Sequence, residues 1–447
     1  MAQHIIHKED LKSLQYNLIR SHSSGSGKVL SAQLGRAIAF SRMVSMSKAY
    51  SGVHESTVEL LCTFLNLGIA PQIFEHGGVG ASGDLVQLSH LALSLIGEGE
   101  VIFKGEIRNT AEVLSELGIE ALEVKLREGL SLINGTSAMT GIGLVNVYNA
   151  KKLLRWSLIM SAMLNEITES YDDHHSAVLN GAKMHTGQLA VAEEMRNILS
   201  GSKRTKNRYA SLKSNDQIES ELEEKLQEYY SIRCVPQVLG PIKDTIESVE
   251  AILIAELNSA NDNPIVDYKG KNVLHGGNFH GDYVSLEMDK LKIAITKLSM
   301  LCERQINFLM NSKINDKLSP FINLGRLGLN FGMQGIQFTA TSTTAENQML
   351  SNPMYVHSIP TNNDNQDIVS MGTNAALITE KVIQNSFEVM AIGLMSALQA
   401  VDYLKIVDDL SPKNQEVYKD LRKVVELVIE DKARYREMKD LVNHLKL

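Results

Sequence analysis

Long stretches of the chain repeat apolar residues at steps of three and four, the period of an α-helix with one buried face. One stretch covers about residues 143–171, and others cover about 283–311, 375–404 and the tail 414–447, which is charged on one face. The apolar positions of the first stretch include Leu144, Val147, Leu153, Leu154, Leu158 and Met163. Such lengths exceed the mean globular helix, so the pattern predicts a bundle of long helices.

Strand patterns are scarce. The two candidates are residues 100–104, followed by a turn at Gly105, and residues 264–268. The predicted fold class is therefore mostly α-helical, a long-helix bundle with little strand. With 447 residues the chain exceeds one ordinary compact core, which predicts sub-domains or one extended helical architecture.

Composition narrows the class of protein and its partners. Hydrophobic residues make up 44% and charged residues 21%, as in ordinary globular proteins, and the net charge of -8 argues against a nucleic-acid or anionic-membrane partner. Cys62, Cys234 and Cys302 are isolated from one another, which favours a reducing cytoplasm. We expect no signal peptide and no membrane-spanning run. We also expect no metal site, because HExxH is absent and His174 and His175 are adjacent.

Glycine is concentrated in short polar segments between the predicted helices. Polar loops set between long helices are where a helical protein would place a functional site. These segments cover residues 76–84, 133–136, 275–281 and 329–335.

The segment Gly80-Ala81-Ser82-Gly83-Asp84 is the most informative of them. Gly83 lacks a Cβ, so its amide nitrogen can approach the Ala81 carbonyl closely. Closure of that ring and dehydration of the Ser82 hydroxyl would give a conjugated electrophile built from backbone. Asp84 would then act as the N-cap of a helix with Leu85, Leu88, Leu91 and Leu95 on one face.

Taken alone, the same segment favours a plainer interpretation. A glycine-rich turn in which Ser82 or Asp84 caps a helix explains an isolated Ala-Ser-Gly-Asp better than chemistry does, since short motifs recur by chance. A phosphate-binding loop is not supported, because no GxxxxGK[ST] or GxGxxG follows a strand here.

The other loops, taken in order, change that balance. Together with GVGASGDLVQLSH, they resemble the histidine and phenylalanine/tyrosine ammonia-lyase family over essentially the whole chain. The supporting motifs are SHSSG at 21–25, LINGT at 132–136, HTGQ at 185–188, QEYYSIRCVPQ at 227–237, NDNP at 261–264, GGNFH at 276–280 and NQDIVSMG at 365–372.

The resemblance implies a fold, a cofactor and an assembly. The fold would be the long-helix bundle of the histidine ammonia-lyase/fumarase-like superfamily. Residues 1–447 would be one ammonia-lyase unit, with the Ala-Ser-Gly motif in about 1–140 and the central and C-terminal helices in about 141–447. Ala81, Ser82 and Gly83 would form a methylidene-imidazolone, with no external cofactor. The chain would be a homotetramer with active sites assembled from three subunits.

Three residues of the segment 227–233 match site residues of the family. Arg233 matches the arginine that binds the substrate carboxylate, for which a guanidinium fork is suited; its alternative is a surface ion pair. Tyr230 resembles the tyrosine that contacts the prosthetic group, and a half-buried packing role is nearly as plausible from spacing alone. Gln227 matches a site glutamine and falls one turn earlier if the segment is helical.

Three further residues complete the expected site. Asn134 matches an asparagine that bonds the prosthetic group and the substrate, although it could also be a left-handed turn residue before Gly135. Phe279 matches the aromatic residue beside the methylidene ring, with ordinary core as the alternative. His22 matches the pocket residue that faces the substrate side chain.

The substrate prediction rests on the NQD motif. Histidine lyases of the family have Glu where this chain has Gln366, whereas phenylalanine and tyrosine lyases have Gln. Phenylalanine lyases typically have Glu where this chain has Asn362. Ser21-His22 is the histidine-lyase form, but His22 could also bond a phenol hydroxyl. The greatest similarity is to bacterial tyrosine ammonia-lyases of flexirubin-type aryl-polyene formation, so L-tyrosine is the first predicted substrate and L-histidine the second.

One family motif has no match in this sequence. The family's loop YGxNTGFG carries the tyrosine that takes the β-proton, and no such string occurs here. The expectation is a start assigned at an internal Met or a lost segment, with strongly reduced activity from Met1.

Two other classes compete with an ammonia-lyase. An aminomutase would use the same prosthetic group, and an inactive helical scaffold would keep the packing without turnover. The fumarase/aspartase group is set aside, because its signature GSSxMPxKxN is absent.

Overall fold

The computed structural model describes residues 7–208 and 227–447. These residues are mostly helical, which confirms the predicted fold class. The α-helices are α1 (Leu11–His22), α2 (Ala32–Ser47), α3 (Glu55–Leu67), α4 (Leu85–Leu95), α5 (Thr110–Leu117), α6 (Glu128–Ile133), α7 (Ser137–Thr168), α8 (Ala177–Gly181), α9 (Thr186–Leu199), α10 (Tyr230–Arg233), α11 (Val235–Leu257), α12 (Asp282–Met310), α13 (Ser312–Asn315), α14 (Gln334–Leu350), α15 (Gly372–Leu404), α16 (Pro412–Leu421) and α17 (Tyr435–Leu445).

The strands are short and antiparallel. β1 (Ser26–Val29) pairs with β3 (Phe74–His76), β2 (Ala70–Pro71) with β4 (Glu100–Phe103), β4 with β5 (Glu106–Asn109), and β6 (Ile265–Asp267) with β7 (Asn272–Leu274). Both predicted strands are confirmed, as β4 and β6. The other five contain two to four residues each, too few for an alternating pattern to be recognised.

The chain divides into two compact units, each built from three separate stretches. Unit 1 comprises Met1–Val147, Ser248–Lys290 and Pro353–Glu380, and it holds all the strands of the described residues. Unit 2 comprises Tyr148–Glu247, Leu291–Asn352 and Lys381–Leu447, and its described part is helical. The predicted division near residue 140 remains a prediction.

The core of unit 2 is formed by the long helices that the periodicity predicted, α7, α12 and α15. Buried apolar side chains from all three fill it, including Met160, Leu298 and Phe387. Polar contacts cross it as well: the Gln305 side-chain amide donates to the Ser161 hydroxyl at 2.9 Å. Burial of this kind is what stabilises helices of such length.

The predicted single helix over 414–447 is wrong. The tail forms two helices, α16 and α17, separated by residues 422–434. Within this break, the main chain of Val428 is bonded to a side chain of α15 and not to a helical turn of its own. Gln399 donates from Nε2 to the Val428 carbonyl at 2.6 Å and accepts from the Val428 N–H at 3.2 Å. A charged, periodic sequence does not reveal such a tertiary contact.

One prediction about membranes also needs correction. Helix α15 is long and apolar enough to cross a bilayer by length and composition, whereas no such run was expected. In the most apolar 18-residue window of this helix, 78% of the window is buried within the protein. A central core helix passes the same test.

Candidate active site

The Ala81-Ser82-Gly83 segment lies in unit 1, directly before α4, where its backbone pairs with the segment that follows α6. Gly83 forms a bridge with Gly135, and the Asp84 N–H donates to the Gly135 carbonyl at 2.8 Å. Gly83 has φ +68°, and a Cβ there would overlap the Gly135 carbonyl. Both the conformation and the space require glycine.

The Ser82 carbonyl receives two N–H donors. The Asn134 side-chain amide donates to it at 2.8 Å, and the Gly135 N–H lies 3.4 Å away. Asn134 has extended backbone (φ -91°), so the left-handed turn proposed as its alternative is wrong. Donors aimed at a carbonyl stabilise negative charge that develops on its oxygen.

The orientation of the Asn134 amide is fixed by a second contact. Its Oδ1 accepts the Asn263 N–H at 2.6 Å, so the amide nitrogen must face Ser82. Asn263 in turn accepts the Gly276 N–H at 2.7 Å through its own side chain. The NDNP and GGNFH motifs are thereby linked through Asn134 to the Ser82 carbonyl.

The Ser82 hydroxyl has its own partner. Gln366 donates from Nε2 to the Ser82 Oγ at 2.7 Å, while its Oε1 accepts the Thr361 hydroxyl at 2.8 Å. Thr361 therefore sets which end of the Gln366 amide faces the serine. A neutral donor beside this oxygen can stabilise it as it leaves.

Asp84 is fully buried, and its carboxylate does not cap α4. The predicted cap is wrong, although α4 does begin at Leu85. The carboxylate instead accepts the Met139 N–H at 2.8 Å, in the first turn of α7, and the Thr373 hydroxyl. Burial raises the pKa of Asp84 to about 6, opposed by these hydrogen bonds. The unpaired N–H groups in the first turn of a long helix stabilise a carboxylate. This explains why Asp84 bonds the start of α7 and not that of α4.

Asp84 should make stability depend on pH. Because its pKa of about 6 exceeds the ordinary 3.8, the folded chain holds this proton more tightly than the unfolded chain. The free energy of unfolding should therefore fall as pH rises from about 4 to 6, by about 2–3 kcal/mol. Asp84→Asn keeps an acceptor for Met139 and should flatten this slope. Urea unfolding midpoints across that window measure it, with exposed Asp10→Asn as control; an unchanged slope in Asp84→Asn would contradict the assignment.

His22, at the end of α1, has a defined tautomer. Its Nδ1 lies 2.8 Å from the Leu18 carbonyl, which can only accept, so Nδ1 carries the proton. The Ser21 hydroxyl lies 3.0 Å from the same nitrogen. Within the described residues Nε2 has no partner, and in the neutral imidazole it is an acceptor.

Phe279 and Asn362 lie in loops of unit 1. Phe279 is half-buried in the turn after β7, where the His280 N–H bonds the Gly277 carbonyl at 2.8 Å. Asn362 is exposed at a tight turn with φ +54°, and its backbone carbonyl accepts the Asn365 N–H at 3.3 Å. The structure thus gives Asn362 a turn role, and its place in a substrate pocket remains a prediction.

Tyr230, Arg233 and Gln227 belong to unit 2. Tyr230 and Arg233 share α10, and the guanidinium carbon lies 4.7 Å from the centre of the Tyr230 ring. Gln227 was expected one helical turn before Tyr230. It instead precedes the helix and is not helical. All three line a cavity of about 660 Å³, together with their neighbours in the same segment and with residues that include Arg304 and Phe308. Tyr230 is 71% exposed, which excludes the half-buried packing role within this chain.

Comparison with known proteins decides the family. Residues 1–423 match the sequence model of the aromatic amino acid lyases. The chain belongs to the aromatic amino acid lyase family. Its amino-acid-processing relatives share the helical fold described above, and the resemblance drawn from the loop motifs is confirmed.

Several relatives in this lyase family are named for their activities. The MIO-dependent tyrosine 2,3-aminomutase of Streptomyces globisporus is 41% identical, over 92% of this chain and 77% of the relative. The tyrosine ammonia-lyase of Cupriavidus metallidurans is 37% identical (93% and 79%), and the histidine ammonia-lyase of Geobacillus thermodenitrificans is 38% identical (96% and 82%). The crystal structure of the Streptomyces globisporus tyrosine aminomutase superimposes with a TM-score of 0.93 at 38% identity, over 99% of this chain and 84% of that one.

Some contributors to this lyase site were not found from the sequence. Thr361 gave no signal, because a lone threonine in a polar loop is unremarkable. The NDNP motif supports the family resemblance, but the sequence does not indicate what its Asn263 does. In the structure, Asn263 orients the Asn134 amide. Beneath it, the fully buried Arg42 donates to the Asn261 side chain at 3.2 Å and lies 3.8 Å from Asp262. A buried arginine with such partners is invisible in a helical pattern.

Proposed function

We propose that this lyase acts on L-tyrosine, with elimination of ammonia to give p-coumarate as its reaction. The observation that carries the choice of substrate is the His22 tautomer. With Nδ1–H bonded to the Leu18 carbonyl, the neutral ring presents an acceptor to a substrate hydroxyl. A phenol donates to such an acceptor, and a phenylalanine ring leaves it unpaired, which is costly in a closed site.

The Ser82 surroundings fit a methylidene-imidazolone formed from Ala81, Ser82 and Gly83. Ring closure at Gly83 requires a residue without Cβ, and Gly135 excludes any other residue there. Two N–H donors on the Ser82 carbonyl would withdraw charge from the conjugated system. The group would supply an electrophilic carbon that captures the substrate, so that a poor leaving group departs by covalent catalysis. We also propose that no external cofactor takes part.

Arg233, Gln227 and Tyr230 would bind the amino acid end of the substrate in the shared sites of the assembly. Arg233 has a fork suited to a carboxylate, and its ring contact with Tyr230 restrains that fork. Gln227 lines the same cavity and offers an amide to the amino acid. Tyr230 would contact the prosthetic group through its hydroxyl. A homotetramer with shared sites and a cytoplasmic location complete the proposal.

Gln366 supports tyrosine over histidine. A glutamate at this position would offer a negative charge to an imidazolium, whereas the amide of Gln366 is neutral and is held by the Thr361 hydroxyl. Without that charge, a histidine side chain loses its partner in the pocket. Histidine ammonia-lyase activity is therefore the less favoured alternative.

Tyrosine 2,3-aminomutation is the second candidate, favoured by the relatives of that name. Both reactions begin with removal of the α-amino group. They differ in whether the amine leaves or returns at the β-carbon, so they share every residue described above. Product analysis separates them.

The test uses the purified chain extended at its N-terminus by the family loop YGxNTGFG, which supplies the β-proton base. It is incubated with L-tyrosine, L-phenylalanine and L-histidine, followed by chromatography for p-coumarate, β-tyrosine, cinnamate and urocanate. We expect p-coumarate to dominate. His22→Phe should lower the tyrosine-to-phenylalanine ratio of kcat/KM by about 10–100-fold, because the hydroxyl loses its acceptor. His7→Phe, at an exposed position, is the matched control.

Three outcomes would overturn parts of this assignment. Urocanate formation faster than consumption of tyrosine would make histidine the substrate. β-Tyrosine as the main product would establish the aminomutase. An unchanged ratio in His22→Phe would remove His22 from substrate selection.

A further inference from the structure

His90, on α4, contacts the loop that follows His22. The Gly25 N–H donates to His90 Nε2 at 3.0 Å, and the Phe74 ring packs edge-on against the imidazole with centres 5.0 Å apart. His90 lies about two helical turns after Ser82. The helix that follows the Ala-Ser-Gly segment therefore also makes this contact with the loop.

The contact fixes the chemical state of His90. A backbone N–H can only donate, so Nε2 is the acceptor and the proton of the neutral ring lies on Nδ1. Burial lowers the pKa of His90, which favours that neutral form. The ring therefore provides one directed acceptor to the loop.

The loop is pressed closely against the ring. A Cβ added at Gly25 would lie 2.9 Å from His90 Nε2 and 3.0 Å from the Phe74 Cβ. Glycine thus permits the main chain to approach, and the histidine supplies the bond that holds it there.

The residues between His22 and Gly25 form one tight turn. The Ser23 N–H bonds the Ile19 carbonyl at 3.1 Å, and the Ser24 N–H bonds the His22 carbonyl at 2.8 Å. A turn tied at both ends transmits a displacement of Gly25 to His22, whose ring is held against Leu18.

We propose that His90 is a positioning residue for substrate selection: by holding Gly25, it sets the place of His22 relative to the Ser82 segment. This rests on the proposed function, since it assumes that His22 bonds the phenol hydroxyl. His90 would not touch the substrate. Its loss should change which ring is preferred and leave formation of the prosthetic group intact.

Two substitutions separate this role from simple packing. His90→Leu fills similar space without an acceptor. His90→Gln can place its side-chain oxygen where Nε2 stood, and so can still accept from Gly25. His90→Asn, whose amide corresponds to Nδ1, should fall short of Gly25 and behave like the leucine variant if that variant proves insoluble.

Two readouts are made on the full-length chain without relying on turnover. Hydrogen exchange by mass spectrometry reports the Gly25 amide in peptides covering 23–29. Dissociation constants for p-coumarate and cinnamate report the preference for a phenol. We expect His90→Leu to speed exchange of that peptide about tenfold and to reduce the preference about fivefold, with near-ultraviolet absorbance of the conjugated ring unchanged. His90→Gln should restore both.

The outcomes distinguish the two proposals. Wild-type chain that binds p-coumarate no better than cinnamate would overturn the tyrosine assignment. A wild-type preference that persists unchanged in His90→Leu would overturn the positioning role alone. Equal weakening of both ligands in the leucine and glutamine variants would also overturn it, because that result indicates packing and not the bond to Gly25.

Discussion

The unaltered chain should be lighter than its sequence mass by two water molecules, and Ser82→Ala should not show this two-water deficit. One water derives from closure of the Gly83 nitrogen onto the Ala81 carbonyl, and the other from the Ser82 hydroxyl. Alanine has no hydroxyl to lose, so no conjugated methylidene can form. Turnover of amino acids should then fall at least about 10³-fold, because the covalent route is removed.

The matched control for this substitution is Ser89→Ala. Ser89 lies on α4, and its hydroxyl donates only to the Leu85 carbonyl at 2.6 Å, as helical serines often do. It should keep both the mass deficit and the activity. An unmodified mass in the unaltered chain would contradict formation of the prosthetic group, and turnover retained in Ser82→Ala would contradict its role.

Asn134→Asp should lower kcat about 10²–10³-fold with little change in fold. The carboxylate keeps an acceptor for the Asn263 N–H but replaces the donor that faces the Ser82 carbonyl. Removal of one such donor costs rates of that order in other enzymes. Steady-state kinetics with tyrosine measure the effect, and intact mass shows how much chain has matured.

Asn134→Ala and Asn258→Ala complete the comparison. The alanine at 134 loses both contacts, so it should lower stability as well as kcat. Asn258 is an exposed asparagine of the same unit, and its removal should change neither. If Asn134→Asp turns over tyrosine at the wild-type rate, the donor to Ser82 does not contribute to catalysis.

The long helices were predictable because each carries an apolar face over many turns. α12 and α15 begin and end within three residues of the periodic stretches, and α7 begins six residues earlier than its stretch and ends three residues earlier. The two-helix tail was not, because the segment between its helices is bonded to Gln399, some thirty residues away in sequence. Side-chain contacts across such distances leave no trace in local periodicity.

The candidate site likewise contains residues that motifs predict and residues that only the structure reveals. Ser82, Asn134 and Gln366 could be named from motifs, and the structure places all three in hydrogen-bond contact. Their orienting partners, Asn263 and Thr361, could not, because an amide or hydroxyl gains that role only from geometry. Asp84 shows the converse: its position at the start of α4 suggested a cap, but its carboxylate is turned to α7.

The link between Gln399 and Val428 makes the C-terminal tail inseparable from the helical bundle. Gln399 is fully buried near the C-terminal end of α15. Both ends of its amide are satisfied by the main chain of Val428, which lies beyond the 423 residues that the family model covers. Trimming the chain at the family boundary would leave a bare amide inside an apolar helix, at a cost of about 1–3 kcal/mol for each orphaned group. The tail thus supplies the hydrogen-bond partners of a polar side chain in the core. A homologue without the tail would need an apolar residue in place of that glutamine.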